Sequence, residues 1–521
     1  MENKIKNIKN SFKNRYYEEA IKESKKFLEK DHNSSIFNIL GISLAMLNKN
    51  NDAIKTFNDA IIKYPDNEEL KINLAKIFNK ERKFSETIKI YDALYQQTGN
   101  DDYKIELANS HIMCSDYDKG KKLINDLIEK DSNNIILLNK VAQLLIKVKK
   151  FDKAVEYLEK ANTLSPGNIG ILNNLAIAYK FCRKYNDALN IFLKLLNNEE
   201  DTSSHFHIYN NIGTIYMYLD KLDEAKNFFE KSLSIKPNDE STNYNNGNLL
   251  RRCKEYDQAS VFYKKSGKIG IPSYMEMLYQ IDDKENFKNN ILKLSKNDPF
   301  NIRVAAISEF ASEQWDIENH FPFCQNPIQY LSHLNIEEDI KNYNFDYSKL
   351  LEDAQNLIEI WEPEDSEVKK GIQTFGNIFD IKSKNMKIFE SLILKEIEKY
   401  RIFYKNKNSL FINNWPEDFY LNGWMVNLES NGYQNSHIHQ NSWMSGVFYI
   451  NIPSDSSGKE GAIRFSLQGF DYQKRKDKSK EKIVKPKIGD LVLFPSSLFH
   501  SVIPFKSNEN RVCLAFDVIK K

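Results

Sequence analysis

The stretch that decides the fold of the C-terminal third is residues 435–449, which read NSHIHQNSWMSGVFY. Two histidines, His437 and His439, stand two positions apart, directly before an apolar run of β-branched and aromatic residues. On an extended strand, side chains two positions apart project from the same face. If this stretch is a strand, the two imidazoles project together, as two ligands of one metal ion would.

A third histidine, His500, lies far downstream within residues 494–502, FPSSLFHSV. The chain has only nine histidines. Imidazole is a common ligand for iron, zinc and copper. We therefore predict one metal site formed by His437, His439 and His500.

The sequence around these histidines changes, from about residue 410, into short β-rich runs separated by turns. The clearest runs are 423–428, 446–451, 462–465, 491–494 and 511–519. Short strands at such spacing are typical of a sandwich or a barrel.

Composition limits the function classes. A chain of 521 residues is too long for one ordinary domain. Its net charge of +2 gives no electrostatic case for nucleic-acid binding. The five cysteines form no CxxC pair, which argues against a disulfide framework and favours a reducing cytosol. We see neither a signal peptide nor a long apolar run, and so expect a cytoplasmic protein that spans no membrane.

The N-terminal half repeats itself. Small residues, or Thr, recur every 33 to 37 positions: Ala20, Ala53, Thr87, Gly120, Ala154, Ala188, Ala225 and Ala259. A second small-residue series stands 12 positions before seven of these: Gly41, Ala75, Ala108, Ala142, Ala176, Gly213 and Gly247. Proline often follows 12 positions after the first series, at Pro65, Pro166 and Pro237. Each period reads as two amphipathic helices that cross closely and a turn where proline stops the second helix.

This period resembles the tetratricopeptide repeat, which is about 34 residues long. The resemblance covers about eight units and implies an α-α superhelix over residues 1–271. The step of 37 predicts an insertion near residues 198–207. Repeats of this kind usually bind a peptide or protein partner in a groove.

Four units carry an asparagine two positions before the small residue of the first helix: Asn73, Asn174, Asn211 and Asn245. These units resemble, in their Asn-Leu-Ala and Asn-Ile-Gly signatures, the repeats of O-GlcNAc transferase, whose asparagines bind peptide backbone. A side-chain amide suits that role because it both donates and accepts. The alternative is an ordinary exposed position in an Asn-rich sequence.

After the repeats the phase is lost. We expect residues 272–345 to form irregular helical pairs that close the array and connect it to the next domain. We expect residues 346–405 to be mainly helical, with a turn or short strand at 371–377, and the domain 346–521 to contain the β-rich runs.

The C-terminal pattern resembles the Fe(II)- and 2-oxoglutarate-dependent dioxygenases, over about residues 330–521. Their motif is His-x-Asp/Glu, then a strand ending in aromatic residues, then a distant His followed by Arg. Here these are His437-Ile438-His439, Val447-Phe448-Tyr449, His500 and Arg511. The resemblance implies a double-stranded β-helix (jelly roll). It also implies Fe(II) as metal and 2-oxoglutarate as cosubstrate of a hydroxylase.

The resemblance further implies roles for three residues beside the metal. Arg511 would pair with the distal carboxylate of 2-oxoglutarate, because a guanidinium matches a carboxylate bidentately. Tyr449 or Asn427 could donate a hydrogen bond to the same cosubstrate. An aromatic residue in a strand is, however, more often part of the core.

One position departs from the family. His439 stands where the usual site has a carboxylate, and the facial triad of these enzymes is two His and one carboxylate. Three functions therefore stay open: a 2-oxoglutarate hydroxylase whose repeats recruit a peptide or protein, a non-enzymatic repeat scaffold with a degenerate barrel, and a three-His, cupin-like metalloenzyme without 2-oxoglutarate.

Overall fold

The computed structural model describes residues 2–81, 83–114, 117–147, 150–198, 203, 205–341, 343, 345–363, 366–477 and 479–520. The chain divides into two compact units, Met1–Leu195 and Leu196–Lys521. The predicted insertion near 198–207 lies largely outside the described residues. None of the helices in these ranges combines the length and the apolar character needed to cross a bilayer.

The first unit is a series of helices. They are α1 (Glu2–Lys13), α2 (Tyr17–Leu28), α3 (Ser34–Met46), α4 (Asn50–Lys63), α5 (Glu68–Lys80), α6 (Phe84–Thr98), α7 (Asp101–Met113), α8 (Tyr117–Lys130), α9 (Ile135–Lys147), α10 (Phe151–Leu164), α11 (Ile169–Phe181) and α12 (Tyr185–Asn198). Successive helices pack as hairpins, so the predicted helical repeats are confirmed.

The repeats continue into the second unit. Their helices there are α13 (His205–Tyr218), α14 (Leu222–Ile235), α15 (Glu240–Arg252) and α16 (Tyr256–Lys265), followed by α17 (Gly267–Gln280), α18 (Lys284–Asn297) and α19 (Ile302–Trp315). The division by contacts falls inside the repeats, and the domain boundary at residue 271 stays a prediction. Helices α18 and α19 lie in the segment 272–345, where helical pairs that close the array are expected, and α17 leads into it.

Small residues make the helical hairpins possible. Gly41 lies against the ring of Phe57, and a Cβ at Gly41 would come within 2.4 Å of that ring. Gly213 faces Phe229 in the same way. The helices also end where the prolines predict a stop. For example, α4 ends at Lys63, two residues before Pro65. Asparagine side chains start the following helices, since Asn67 accepts from the backbone N–H of Leu70.

The C-terminal part of the second unit is built on strands. They are β1 (Ser332–Asn335), β2 (Ile358–Trp361), β3 (Val368–Phe375), β4 (Phe419–His437), β5 (Met444–Asn451), β6 (Ile463–Ser466), β7 (Glu481–Val484), β8 (Asp490–Pro495), β9 (Phe499–Val502) and β10 (Arg511–Lys520). The helices among them are α20 (Glu337–Lys341), α21 (Tyr347–Gln355), α22 (Lys384–Tyr404) and α23 (Leu410–Asn413), with 3-10 turns at Pro327–Tyr330 and Ile378–Asp380. All five predicted β runs are strands.

The strands form one antiparallel sheet in the order β1-β8-β5-β10-β4-β9-β6-β7, with the β2–β3 hairpin attached to β4. The sheet curves into a nearly closed barrel, as the predicted double-stranded β-helix requires. Segment 346–405 is less helical than expected, because 358–361 and 368–375 pair as strands. Residues 368–375 form a strand because β3 pairs with β4, whose residues lie more than 50 positions further along the chain.

Strands β5 and β10 organise the barrel because they lie side by side at its centre. Their register pairs Ser445 with Asp517, Val447 with Ala515, and Tyr449 with Cys513. Paired residues of antiparallel strands share a sheet face. One face of β10 packs on the 3-10 turn Ile378–Asp380, where Phe516 lies near Phe379, and Phe379 stacks on Phe389 of α22. The other face, with residues 511, 513, 515 and 517, turns to the barrel interior.

The loop between β6 and β7, residues 467–480, is fixed to the helices of the same unit. Gln280 of α17 donates to the carbonyl of Asp471 at 2.9 Å and accepts from the backbone N–H of Gln473 at 3.2 Å. Gln314 of α19 accepts two further backbone N–H groups of this loop, at 2.8 and 2.9 Å. The barrel and the last helices therefore form one packed body.

Candidate metal centre

The three predicted ligands lie together at one end of the barrel. His437 is the last residue of β4 and pairs directly with His500 of β9, with ring centroids 4.2 Å apart. The ring centroid of His439 lies 5.3 Å from that of His437 and 5.0 Å from that of His500. His439 stands just past the end of β4, so the expectation that both histidines share one strand is corrected. The turn closed by the N–H of Ser442 on the carbonyl of His439 still turns the ring inward.

The imidazole nitrogens of this cluster have the arrangement of a metal site. One ligand atom from each ring lies within 4.8 Å of the other two. Nδ1 of each ring faces an acceptor: the carbonyl of Asn435 at 2.8 Å, the Asp517 carboxylate at 2.7 Å and the carbonyl of Leu498 at 3.3 Å. Because these oxygens accept, each Nδ1 carries the proton and each Nε2 keeps its lone pair. Such an outer hydrogen bond is the usual partner of a metal-bound histidine.

The electrostatic environment favours the neutral form of two of these imidazoles, His437 and His500. Burial, and then the neighbouring His439, lower the pKa of His437 to about 4. Burial, and then the two other imidazoles, place the pKa of His500 well below its usual value. A neutral imidazole is the form that binds a cation. The donor set therefore fits a divalent metal ion.

A second group of polar atoms lies on the same interior face, at Arg511 and Tyr449. Arg511 is 1% exposed, and its guanidinium carbon lies 5.0 Å from the centre of the Tyr449 ring. Its Nε donates to the carbonyl of Gly461 at 3.0 Å. Among the described residues, no carboxylate lies within ion-pair distance of this guanidinium. The Tyr449 hydroxyl is buried without a hydrogen-bond partner, and burial raises its pKa.

These atoms indicate what the pocket accepts. A buried cation and a buried hydroxyl donor are both costly to leave unpaired. A carboxylate satisfies both at once, and a guanidinium binds it through two parallel N–H groups. The pair therefore fits the distal carboxylate of 2-oxoglutarate.

The register of β4 against β10 places Asn427 on the opposite sheet face from Arg511 and Tyr449. Asn427 of β4 lies opposite Val512, whereas Arg511 lies opposite Leu428. Since paired residues share a face, Asn427 projects from the face opposite to that of Arg511. Its Oδ1 is buried without a partner, but on the other side of the sheet. We therefore leave Asn427 out of the site and correct that prediction.

Small side chains separate the two ends of the interior face. Val447 and Ala515 lie between the Ser445–Asp517 pair at the metal end and the Tyr449–Cys513 pair at the other end. Val447 is 7% and Ala515 8% exposed, whereas their outward-facing neighbours Phe448 and Leu514 are fully buried. On β5 and β10, short side chains therefore lie between the histidines and Arg511.

The four asparagines predicted for peptide binding are half-buried on the first helices of their repeats. Three of them donate their amide nitrogen to an asparagine of the preceding repeat: Asn73 to Asn38 at 2.7 Å, Asn174 to Asn139 at 2.9 Å and Asn245 to Asn210 at 2.9 Å. The fourth, Asn211, also has a polar interaction. These bonds link neighbouring repeats, a role that the sequence analysis did not foresee.

Sequence reasoning missed Asp517, which hydrogen-bonds His439. A signal was present, because residues 511 and 517 are separated by an even number of positions. On a strand, such residues share a face. The family motif includes Arg511 but not the carboxylate six positions further along the same strand face.

Comparison with family models agrees with this division of the chain. Residues 422–517 match the family described as "Putative 2OG-Fe(II) oxygenase". Residues 136–168 and 206–239 match the tetratricopeptide repeat, and residues 2–134 match the N-terminal repeat region of Psidin. The chain thus joins N-terminal tetratricopeptide repeats to a C-terminal domain that matches this oxygenase family. No curated protein matches the chain.

Solved structures match part of the chain. A structure of PilF from Pseudomonas aeruginosa is 20% identical, covers 41% of this chain and 97% of its own, and has a TM-score of 0.32. A tetratricopeptide repeat protein from Parabacteroides merdae is 18% identical, covers 50% and 98%, and has a TM-score of 0.37. Human IFIT1 is 15% identical, covers 59% and 78%, and has a TM-score of 0.33. At these values none of them assigns a function.

Proposed function

We propose that the barrel is an Fe(II)- and 2-oxoglutarate-dependent oxygenase, with the metal held by His437, His439 and His500. One observation carries the proposal. On strands β5 and β10, Tyr449 buries a hydroxyl without a hydrogen-bond partner, and Arg511 buries a guanidinium without a carboxylate partner among the described residues. Strand β10 also carries the carboxylate behind His439. A metal site alone does not require such a pair, whereas a dicarboxylic cosubstrate does.

The residues have separate tasks. When bound, Fe(II) with 2-oxoglutarate and O2 supplies the oxidising power to hydroxylate a C–H bond, releasing succinate and CO2. His437, His439 and His500 would hold the metal. Arg511 and Tyr449 bind the far carboxylate, and the buried walls between them exclude water.

We propose that the repeats recruit a peptide or protein substrate. The bond from Asn73 to Asn38 uses the amide nitrogen of Asn73. Its amide oxygen stays an acceptor that suits a peptide N–H. The same holds for Asn174 and Asn245.

A second candidate function is a three-His metalloenzyme that does not use 2-oxoglutarate. The observation in its favour is the cluster itself, in which the third ligand is His439 and not a carboxylate. For that function Arg511 should be dispensable.

The test is an anaerobic titration of metal-free protein with Fe(II) and then 2-oxoglutarate, followed by the visible charge-transfer band of the chelate. We expect a band with the wild type and none with His437→Ala or Arg511→Ala. The matched control is Arg464→Ala, which removes an arginine of the same barrel that is half exposed near Glu481. It should keep the band.

The other outcomes separate the alternatives. Stoichiometric Fe(II) binding without a band would favour the three-His enzyme. Absence of metal binding would leave a repeat scaffold with an inactive barrel.

A further inference from the structure

The Asp517 carboxylate touches the metal centre through one histidine. Its Oδ1 accepts a 2.7 Å hydrogen bond from Nδ1 of His439 and a 2.7 Å hydrogen bond from the hydroxyl of Ser445. The hydroxyl of Ser445 in turn lies 2.9 Å from the hydroxyl of Ser496, the first residue after β8. Strands β5 and β10 and the turn after β8 thus fix this carboxylate behind the His439 ring.

Asp517 is a buried carboxylate with few compensating partners. It is 8% exposed, and a buried carboxylate is costly unless a cation or several donors compensate it. Among the described residues, its one recorded ion-pair partner is His439. The same imidazole is a member of the three-histidine cluster, so a divalent ion held by that cluster would bring positive charge within one ring of this carboxylate.

The same argument explains the departure at His439. A site of two histidines and one carboxylate supplies one negative charge directly to the metal. Three neutral imidazoles supply none. Hydrogen bonding of Nδ1–H to a carboxylate makes the imidazole a more basic ligand and fixes its orientation.

We infer that Asp517 is the positioning residue that replaces the absent carboxylate ligand, delivering its negative charge to the divalent metal through His439. The inference rests on the proposed metal site and assigns a role to a residue that the sequence motif does not include. Asp517 does not touch the metal; it orients His439 and strengthens it as a ligand.

The chain contains a matched control for this role. His333 and Asp490, in the same sheet, form another histidine–carboxylate bond of 2.7 Å, and the Asp490 side chain is 5% exposed. His333 belongs to no metal cluster among the described residues. Asp490→Asn therefore removes a comparable pair without touching the metal centre.

The experiment measures Co(II) affinity of the full chain by competition with a chelator, and thermal stability of the metal-free protein. Asp517→Asn keeps the shape of the side chain and removes its charge. We expect it to weaken Co(II) binding about 10–100-fold, the usual effect of losing such an outer partner. Asp490→Asn should leave the affinity unchanged, even if it lowers the melting temperature.

A second variant, Ser445→Ala, tests the same role if Asp517→Asn does not fold. Ser445→Ala keeps every charge but removes one bond that holds the Asp517 carboxylate. We expect it to weaken Co(II) binding less than Asp517→Asn and more than Asp490→Asn.

The failures can be told apart. If Asp517→Asn, or Ser445→Ala where the former does not fold, binds Co(II) as tightly as the wild type, Asp517 is only structural and this inference is overturned. If the wild type binds no Co(II), the proposed metal site itself fails and the inference fails with it.

Discussion

The hydroxyl of Tyr472, in the β6–β7 loop, donates a 3.0 Å hydrogen bond to the carboxylate of Glu276 on helix α17, which has no solvent exposure. Arg303 donates to both oxygens of the same carboxylate, at 2.6 and 2.7 Å, and Arg251 donates at 3.0 Å. Three helices and a barrel loop therefore meet at one buried charge. This network explains why the last repeats and the barrel form one compact unit.

Glu276→Gln should destabilise that unit strongly. The substitution leaves Arg303 and Arg251 without their shared counter-charge, and breaking a buried ion pair costs about 3–5 kcal/mol. All five tryptophans lie between residues 315 and 443, so tryptophan fluorescence in a urea titration follows this unit.

The control for Glu276→Gln is an exposed ion pair on the same loop. Asp316 lies 3.3 Å from Lys476, and its side chain is 89% exposed. Asp316→Asn should cost less than about 1 kcal/mol. Equal effects of the two substitutions would show that the Glu276 network does not stabilise the unit.

Gly41→Ala should destabilise the first unit. A Cβ at Gly41 would overlap the Phe57 ring at 2.4 Å, and overpacking a tight contact costs about 1–3 kcal/mol, more than the gain in helix propensity. Gly170→Ala is the contrast, because its Cβ would meet only the Asn168 side chain at 3.4 Å. Far-UV circular dichroism during thermal unfolding should therefore show a lower transition for the first variant alone.

Tyr449→Phe should weaken 2-oxoglutarate binding roughly 10-fold or more, because it removes one hydrogen bond to a charged group. Metal affinity should not change, since the hydroxyl is not a ligand. Anaerobic isothermal titration of the metal-free protein with Fe(II) measures the metal affinity. Titration of the Fe(II) protein with 2-oxoglutarate measures the cosubstrate affinity. Tyr347→Phe removes another buried hydroxyl without a partner, on a ring stacked against Phe448, and should leave cosubstrate binding intact.

Metal should stabilise the barrel by mass action. Co(II) at 100 times its dissociation constant should raise the free energy of unfolding by about 2.7 kcal/mol. Tryptophan fluorescence in urea measures the change. His500→Ala should abolish it, whereas His333→Ala, in the same sheet but outside the cluster, should retain it. A shift that survives in His500→Ala would place the ion elsewhere.

The histidine cluster illustrates what a motif predicts. Residues 437, 439 and 500 were chosen from residue type and spacing, and their rings meet within 5.3 Å. The ordering of the strands could not be read in the same way. It depends on pairings such as β4 with β10, whose partners are distant in the sequence.

Asn427 and Asp517 show that a sequence motif does not predict the sheet face on which a side chain lies. Both lie on strands that the sequence predicts, yet only the register decides which face each side chain takes. A shift of one position exchanges the two faces of a strand. The sequence therefore proposed Asn427 and overlooked Asp517.

The sequence by itself determined the repeats, the β-rich C-terminal third and the three histidines, because these depend on local periodicity and on residue chemistry. The tertiary structure alone decided which carboxylate supports His439, which polar groups are buried unpaired beside Arg511, and that the β6–β7 loop is fixed to helices α17 and α19. The physical reason is that these properties arise from contacts between residues far apart in the chain, and burial gives those contacts their energy.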